Sequence, residues 1–131
     1  MGSFVKEVTI NRPIDEVWDL VGDIGAISSW FPGIDSSTAA PDGSSRVCMM
    51  GDAKIVEEIV SYDADDFRYQ YTITAGPLPL DHHLATVSVE GSGGGSLVRW
   101  EVEIVPDSGV DMLSPIFDHA LGELKDHLES S

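Results

Sequence analysis

The chain has 131 residues, 42% hydrophobic and 23% charged, a balance that fits one globular domain able to bury roughly two-thirds of its unfolded surface and excludes a disordered or fibrous chain. Seven Lys and Arg stand against 23 Asp and Glu, for a formal charge of −16; this repels phosphate backbones and anionic membrane surfaces, so nucleic acid is not expected as a partner. With Cys48 as its single cysteine, no window of ~18 apolar residues and no signal-peptide core, the chain is expected to lack an internal disulfide, to stay out of the bilayer and to work in the cytoplasm.

Residues 4–10 alternate apolar and polar side chains, which predicts a first strand. Asn11 is placed to cap, and Pro13 to open, a helix that carries Ile14, Val17, Trp18 and Val21 on one face. Asp15 and Glu16 suit its first turn, and Gly22 and Gly25 can end it. A shorter helix is expected over residues 26–30, closed by the bend Trp30-Phe31-Pro32-Gly33.

Strands then follow over residues 34–39, 45–50, 54–62, 67–74, 83–90 and 97–105. The turns between them carry Pro41-Asp42-Gly43, Gly51-Asp52, Asp63-Ala64-Asp65-Asp66 and the glycine run of residues 92–96. Consecutive short strands imply antiparallel hairpins. From Leu113 the period changes: Phe117, Ala120, Leu121, Leu124 and Leu128 recur at helical spacing, predicting an amphipathic helix that begins near Ser114-Pro115 and is covered by the sheet. The sum is a single α+β domain over residues 1–131, a curved antiparallel sheet of about seven strands around a long C-terminal helix, with two short helices after strand one.

This order of elements resembles the START-like superfamily, also called SRPBCC, which includes polyketide cyclases and dehydratases, the birch-pollen allergen and abscisic acid receptors. The stretches that carry the resemblance are Pro13 to Trp18, Trp30 to Gly33, Arg46, Ile55-Val56-Glu57 leading to Asp63, Tyr71 to Pro79, and Val98-Arg99-Trp100. The resemblance implies a helix-grip fold whose interior binds a small hydrophobic, lipid-, aromatic- or polyketide-like molecule. The alternatives it carries are a polyketide aromatase/cyclase or dehydratase using the same cavity without metal, and a protein-interaction regulator. Gly51-Asp52 and Gly76-Pro77-Leu78-Pro79 stand where hormone receptors of this superfamily have their gate and latch.

Strand parity sorts the polar candidates, because side chains alternate across a strand. In the last strand Val98, Trp100, Val102 and Ile104 form the inward set. In the fourth, the family pattern puts Ile55, Glu57 and Ile59 inward, while Val56, Glu58 and Val60 make the opposite choice equally regular. With Glu57 and Arg46 both inward, the two would pair, since a fork-shaped guanidinium suits a carboxylate and a lone buried charge is penalised. The competing expectation is that they merely satisfy each other or lie in solvent.

Tyr69 and Tyr71 share parity and offer hydroxyls from an apolar wall, or else fill core space. His83 shares parity with Ala85, Val87 and Val89 and is placed to enter the cavity near its mouth, where an imidazole suits proton transfer. Trp30, Trp100 and Phe117 complete the expected ligand wall, and His83, Glu57, Tyr71 and Arg46 are the residues on which catalysis would rest. Cys48 reads as a small buried hydrophobe that can line the cavity.

His82 and His83 point to opposite faces of a strand, and His119 and His127 lie two helical turns apart, so neither pair makes a metal chelate. The glycine run lacks the lysine and following helix of a phosphate loop, and no Gly-x-Ser-x-Gly elbow is present. No cofactor or metal is expected. A monomer or homodimer is.

Overall fold

The sheet follows from alternation and the long helix from the change of period, and the computed structural model shows both over the residues it describes, 2–77 and 80–130. In chain order the elements are β1 (Gly2–Ile10), α1 (Ile14–Val21), a 3₁₀ helix (Ile24–Ser29), β2 (Ser36–Ala39), β3 (Ser45–Met50), β4 (Ala53–Asp63), β5 (Arg68–Ala75), β6 (His82–Ser92), β7 (Gly95–Val105) and α2 (Ser108–Glu129). The seven strands form one curved antiparallel sheet in the order β1-β7-β6-β5-β4-β3-β2. The last strand therefore pairs with the first, and α2 lies in the concavity.

The core face of β7 is Val98, Trp100, Val102 and Ile104, all essentially inaccessible, matched by Ala85, Val87 and Val89 on β6. Against them α2 turns Leu113, Phe117, Ala120, Leu121, Leu124 and Leu128. The glycine run closes the β6–β7 hairpin, with Gly93 and Gly94 at positive φ.

Several sequence expectations move. Asn11 does not cap α1: Pro13 occupies the cap position, and the Asn11 N–H donates to Glu129 at the far end of α2. The second short helix is a 3₁₀ segment that starts two residues early, and β2 begins at Ser36 because Ile34 is still held in a turn by the Phe31 carbonyl.

The last shift matters most for the site. α2 begins at Ser108 instead of near Ser114-Pro115, so Pro115 lies inside it. Proline removes one i to i−4 hydrogen bond, a cost of about 3 kcal/mol in a free helix. Here the preceding turns are anchored by packing. Gly109 passes so close to β7 that a Cβ there would stand 2.6 Å from the Ile104 side chain, and Leu113 is buried.

Two register shifts in the β4–β5 pair also redirect side chains. One lies between Val56 and Glu57, the other between Ile59 and Ser61. The second brings Tyr62 opposite Tyr69, so that its ring stacks on Tyr69 and lies tilted against Trp18, and its hydroxyl donates to the Gly22 carbonyl at 2.7 Å. The strand thereby clasps the end of α1.

Candidate functional site

Strand pairing settles the orientation that alternation left open. Arg46 on β3 stands opposite Glu57 on β4, and both turn into the concavity, where Arg46 is completely buried and Glu57 nearly so. The Arg46 Nε donates to Glu57 Oε1 at 2.5 Å, and Nη1 donates to the Ile24 carbonyl and the Tyr69 hydroxyl at 3.2 and 3.3 Å. The guanidinium carbon lies 4.7 Å from the centre of the Tyr71 ring, within cation–π range. Among the described residues, Arg46 Nη2 is the one buried side-chain nitrogen or oxygen with no hydrogen-bond partner.

Burial by itself would lower the pKa of Arg46, but Tyr69, Glu57 and Tyr71 around it hold the pKa above its ordinary value. The guanidinium therefore stays charged at any working pH. A buried ion pair of this kind is weak evidence of stability as such, since desolvation offsets much of the attraction. Breaking it is a different matter, because the survivor is left as an uncompensated charge.

On the open side of this pair lies a cavity of about 300 Å³, at the lower end of the range for small-molecule sites. At liquid density it would hold about ten waters. Its wall is overwhelmingly apolar, with Ile34, Met50, Ile55 and Ile73 on the sheet side and Leu113 and Phe117 on α2. Met112 and Ile116, half- to two-fifths exposed, and Pro77 rim it. Cys48 is both buried and on the wall; burial pushes its thiol up to about 11, so it is protonated.

Three polar candidates reach this wall: Glu57, Tyr71 and His83. Glu57 has Oε1 engaged by Arg46, and its Oε2 receives no hydrogen bond from the described residues. Tyr71 accepts from the Trp100 indole at 3.1 Å, and burial raises its phenol pKa well above the usual value. Burial, reinforced by His82, lowers His83 to about 4, so it is neutral near pH 7. The Ile73 N–H donates to its Nδ1 at 3.2 Å, which places the ring proton on Nε2.

The other candidates are elsewhere. Phe117 lines the cavity, but Trp30, Arg46, Tyr69 and Trp100 do not. Tyr69 is fully buried between Arg46, Trp18, Tyr62 and Tyr71. Trp100 backs the wall, in ring contact with Tyr71 and Phe117. Trp30 leans on Trp100 and faces a second, polar depression shared with His119, Glu123 and His127 of α2.

Sequence reasoning had no means of finding Ile34 or Phe31, which lie in irregular backbone where parity does not apply, or Met112 and Ile116, which precede or straddle the expected helix start. Of the two family-like loops, Pro77 is at the rim, while Leu78 and Pro79 lie outside the described residues. Among the described residues no three His, Cys, Asp and Glu side chains are grouped to hold a metal ion. Among the described residues, likewise, no helix is long and apolar enough to cross a membrane.

The comparisons agree with this fold. The family model described as polyketide cyclase / dehydrase and lipid transport matches residues 1–129. The protein XoxI from Bacillus cereus has a solved structure similar to this one, with a TM-score of 0.89 and 26% identity over 98% of this chain and 96% of that one. A START superfamily protein from Mycobacterium smegmatis superposes with a TM-score of 0.80 at 15% identity, over 99% of each chain. The crystal structure of Ara h 8.0201 gives 0.79 at 18% identity, over 98% of each chain. No curated protein matches the sequence.

Proposed function

From the premise that this chain belongs to the polyketide cyclase / dehydrase and lipid transport family, we propose that it binds a small, largely apolar molecule in the cavity between β3–β6 and the first half of α2. The family and fold are those of hydrophobic-ligand-binding START-like domains. The observation that carries the reading for this chain is the cavity itself: about 300 Å³, apolar on nearly every side, with Glu57, Tyr71 and His83 as its polar groups. Apolar walls supply affinity through area removed from water, and a few fixed polar atoms supply orientation.

A cyclase- or dehydratase-type reaction in the same cavity is the second reading, favoured by the meeting of a carboxylate, a phenol and an imidazole on one wall. Their protonation weakens it. An imidazole with a pKa of about 4 is a poor base at neutral pH, and a phenol pushed upward by burial is a poor acid. A protein-interaction role would need an apolar patch of its own, and the exposed Met112 and Ile116 instead belong to the cavity rim.

Titration with N-phenyl-naphthylamine, an uncharged dye that brightens in apolar surroundings, tests the binding reading. Saturable, one-to-one enhancement is expected, together with a small molecule released from freshly purified protein in native mass spectrometry. Dye that stays dark at millimolar protein, with no copurifying molecule, would overturn it.

A further inference from the structure

Resting on that reading of the cavity, we infer that its ligand is uncharged and carries a hydroxyl donor, as in an alcohol, phenol or enol, and that carboxylates and phosphates are rejected. What decides is which charges a ligand meets. Arg46 is fully buried, absent from the cavity wall, and screened from it by the Tyr71 ring lying 4.7 Å from its guanidinium carbon and by Glu57 bonded to its Nε. The cation is behind the wall. The carboxylate is on it.

Seen from inside, then, the polar floor is Glu57 with Oε2 lacking a donor from the described residues. A carboxylate without a proton can only accept. A ligand hydroxyl completes it. A ligand carboxylate or phosphate would set lone pair against lone pair in a medium that screens poorly, with no cation in reach to offset its lost hydration. A ligand ammonium fares little better, because Arg46 already balances Glu57 and a further buried charge of either sign is uncompensated.

The other two polar groups on the wall are consistent with this: the Tyr71 oxygen already accepts from the Trp100 indole, so its own O–H is left as a neutral donor. With Nδ1 occupied by the Ile73 N–H, His83 offers Nε2–H, a neutral donor suited to a hydroxyl or carbonyl oxygen. Acceptor on β4 and donor on β6 together match a group that both gives and takes a hydrogen bond, which a hydroxyl does and a carboxylate does not. The approach is biased the same way by a formal charge of −16, with exposed Asp111 and Asp52 next in sequence to Met112 and Ala53 of the cavity lining and Lys54 as a nearby cation at the start of β4.

The test uses two probes of one skeleton, naphthol and naphthoate, titrated calorimetrically into the full chain at neutral pH. Naphthol is expected to bind at least tenfold more tightly, a difference of about 1.4 kcal/mol. Equal or tighter binding of naphthoate would overturn the inference while leaving the apolar cavity standing. Failure of both probes, and of the uncharged dye, would take the cavity reading down with it.

Glu57→Gln keeps an oxygen for Arg46 but adds a donor and removes the charge, and is expected to narrow the ratio to within about threefold. Asp52→Asn with Asp111→Asn, which lie outside the cavity wall and bias only the approach, should narrow the ratio far less than Glu57→Gln does. If the outer pair collapses the ratio and Glu57→Gln does not, Glu57 is not the discriminator. Should Glu57→Gln fail to fold, the wild-type ratio and the outer variants still decide.

Discussion

Two ends of the same interior are filled differently. Beneath α1 and the 3₁₀ helix the space is taken by rings, with Trp18 against Phe67 and Tyr69, and Trp30 and Phe31 against Trp100. Beneath the first half of α2 the aliphatic side chains of Ile34, Met50, Ile55, Ile73 and Leu113 join Phe31, Tyr71 and Phe117 in enclosing the cavity. Ring against ring fills the first end, while at the second a largely aliphatic wall leaves space open. One end thus supplies packing and the other capacity, and the Arg46–Glu57 pair sits at their seam.

The largest expected effect tests the packed end. Trp100→Ala removes a completely buried ring that touches Trp30, Phe31, Tyr71 and Phe117, and should cost about 3–5 kcal/mol in denaturant unfolding. A loss under about 1 kcal/mol would mean that the end described as packed can collapse around a void.

Next is a pH effect at the seam. His83 titrates at about 4 in the folded chain against 6.5 as its ordinary value, so between these limits the unfolded chain binds a proton that the folded chain refuses. Stability therefore falls as pH drops from about 6.5 to about 4, by on the order of 3 kcal/mol from this residue. His83→Phe should flatten the stability profile in that window, leaving the losses below it to carboxylates. An unchanged slope would show that His83 is solvated.

Filling the hollow end should do little to stability and much to binding. Ile73→Phe places its extra atoms in the cavity, so unfolding free energy should stay within about 1 kcal/mol of the parent while dye binding weakens at least tenfold. A loss near 3 kcal/mol with binding intact would reverse the comparison, as overpacking of a filled core does. Smallest of all, Met112→Ala at a half-exposed rim position should change stability by no more than about 0.5 kcal/mol.

How far the sequence shows this division depends on local regularity. The β7 face is legible because Val98 to Ile104 alternates with charged residues, and the stripe of α2 because leucines recur at three and four. β4 is not legible by itself, since both of its faces carry a branched aliphatic, a glutamate and another branched aliphatic, and what chooses between them is the cross-strand pairing of Glu57 with Arg46. Tyr62 changes face through a bulge that leaves no mark in composition. Pro115 reads as a helix opener because local propensity favours that, and tertiary packing of Gly109 and Leu113 overrides it.

Of the eight residues expected to meet ligand, those on the wall, Glu57, Tyr71, His83 and Phe117, cannot be told by type from those behind it, Trp30, Arg46, Tyr69 and Trp100. Parity assigns a face, not a depth. An inward aromatic on a central strand and one near the mouth have the same signature, and only the curvature of the sheet separates them.

Pro115 also bears on how a molecule gets in. It stands between Met112 and Ile116 on the rim, and for want of its N–H the carbonyl of Asp111 has no donor four residues on. A helix with one rung already missing needs to break fewer bonds to lift at that point, so traffic into and out of the interior is expected to be timed by the first turns of α2. Amide protons before residue 115 should then exchange with solvent faster than those of residues 120–128, and a bound molecule should slow the first group more than the second.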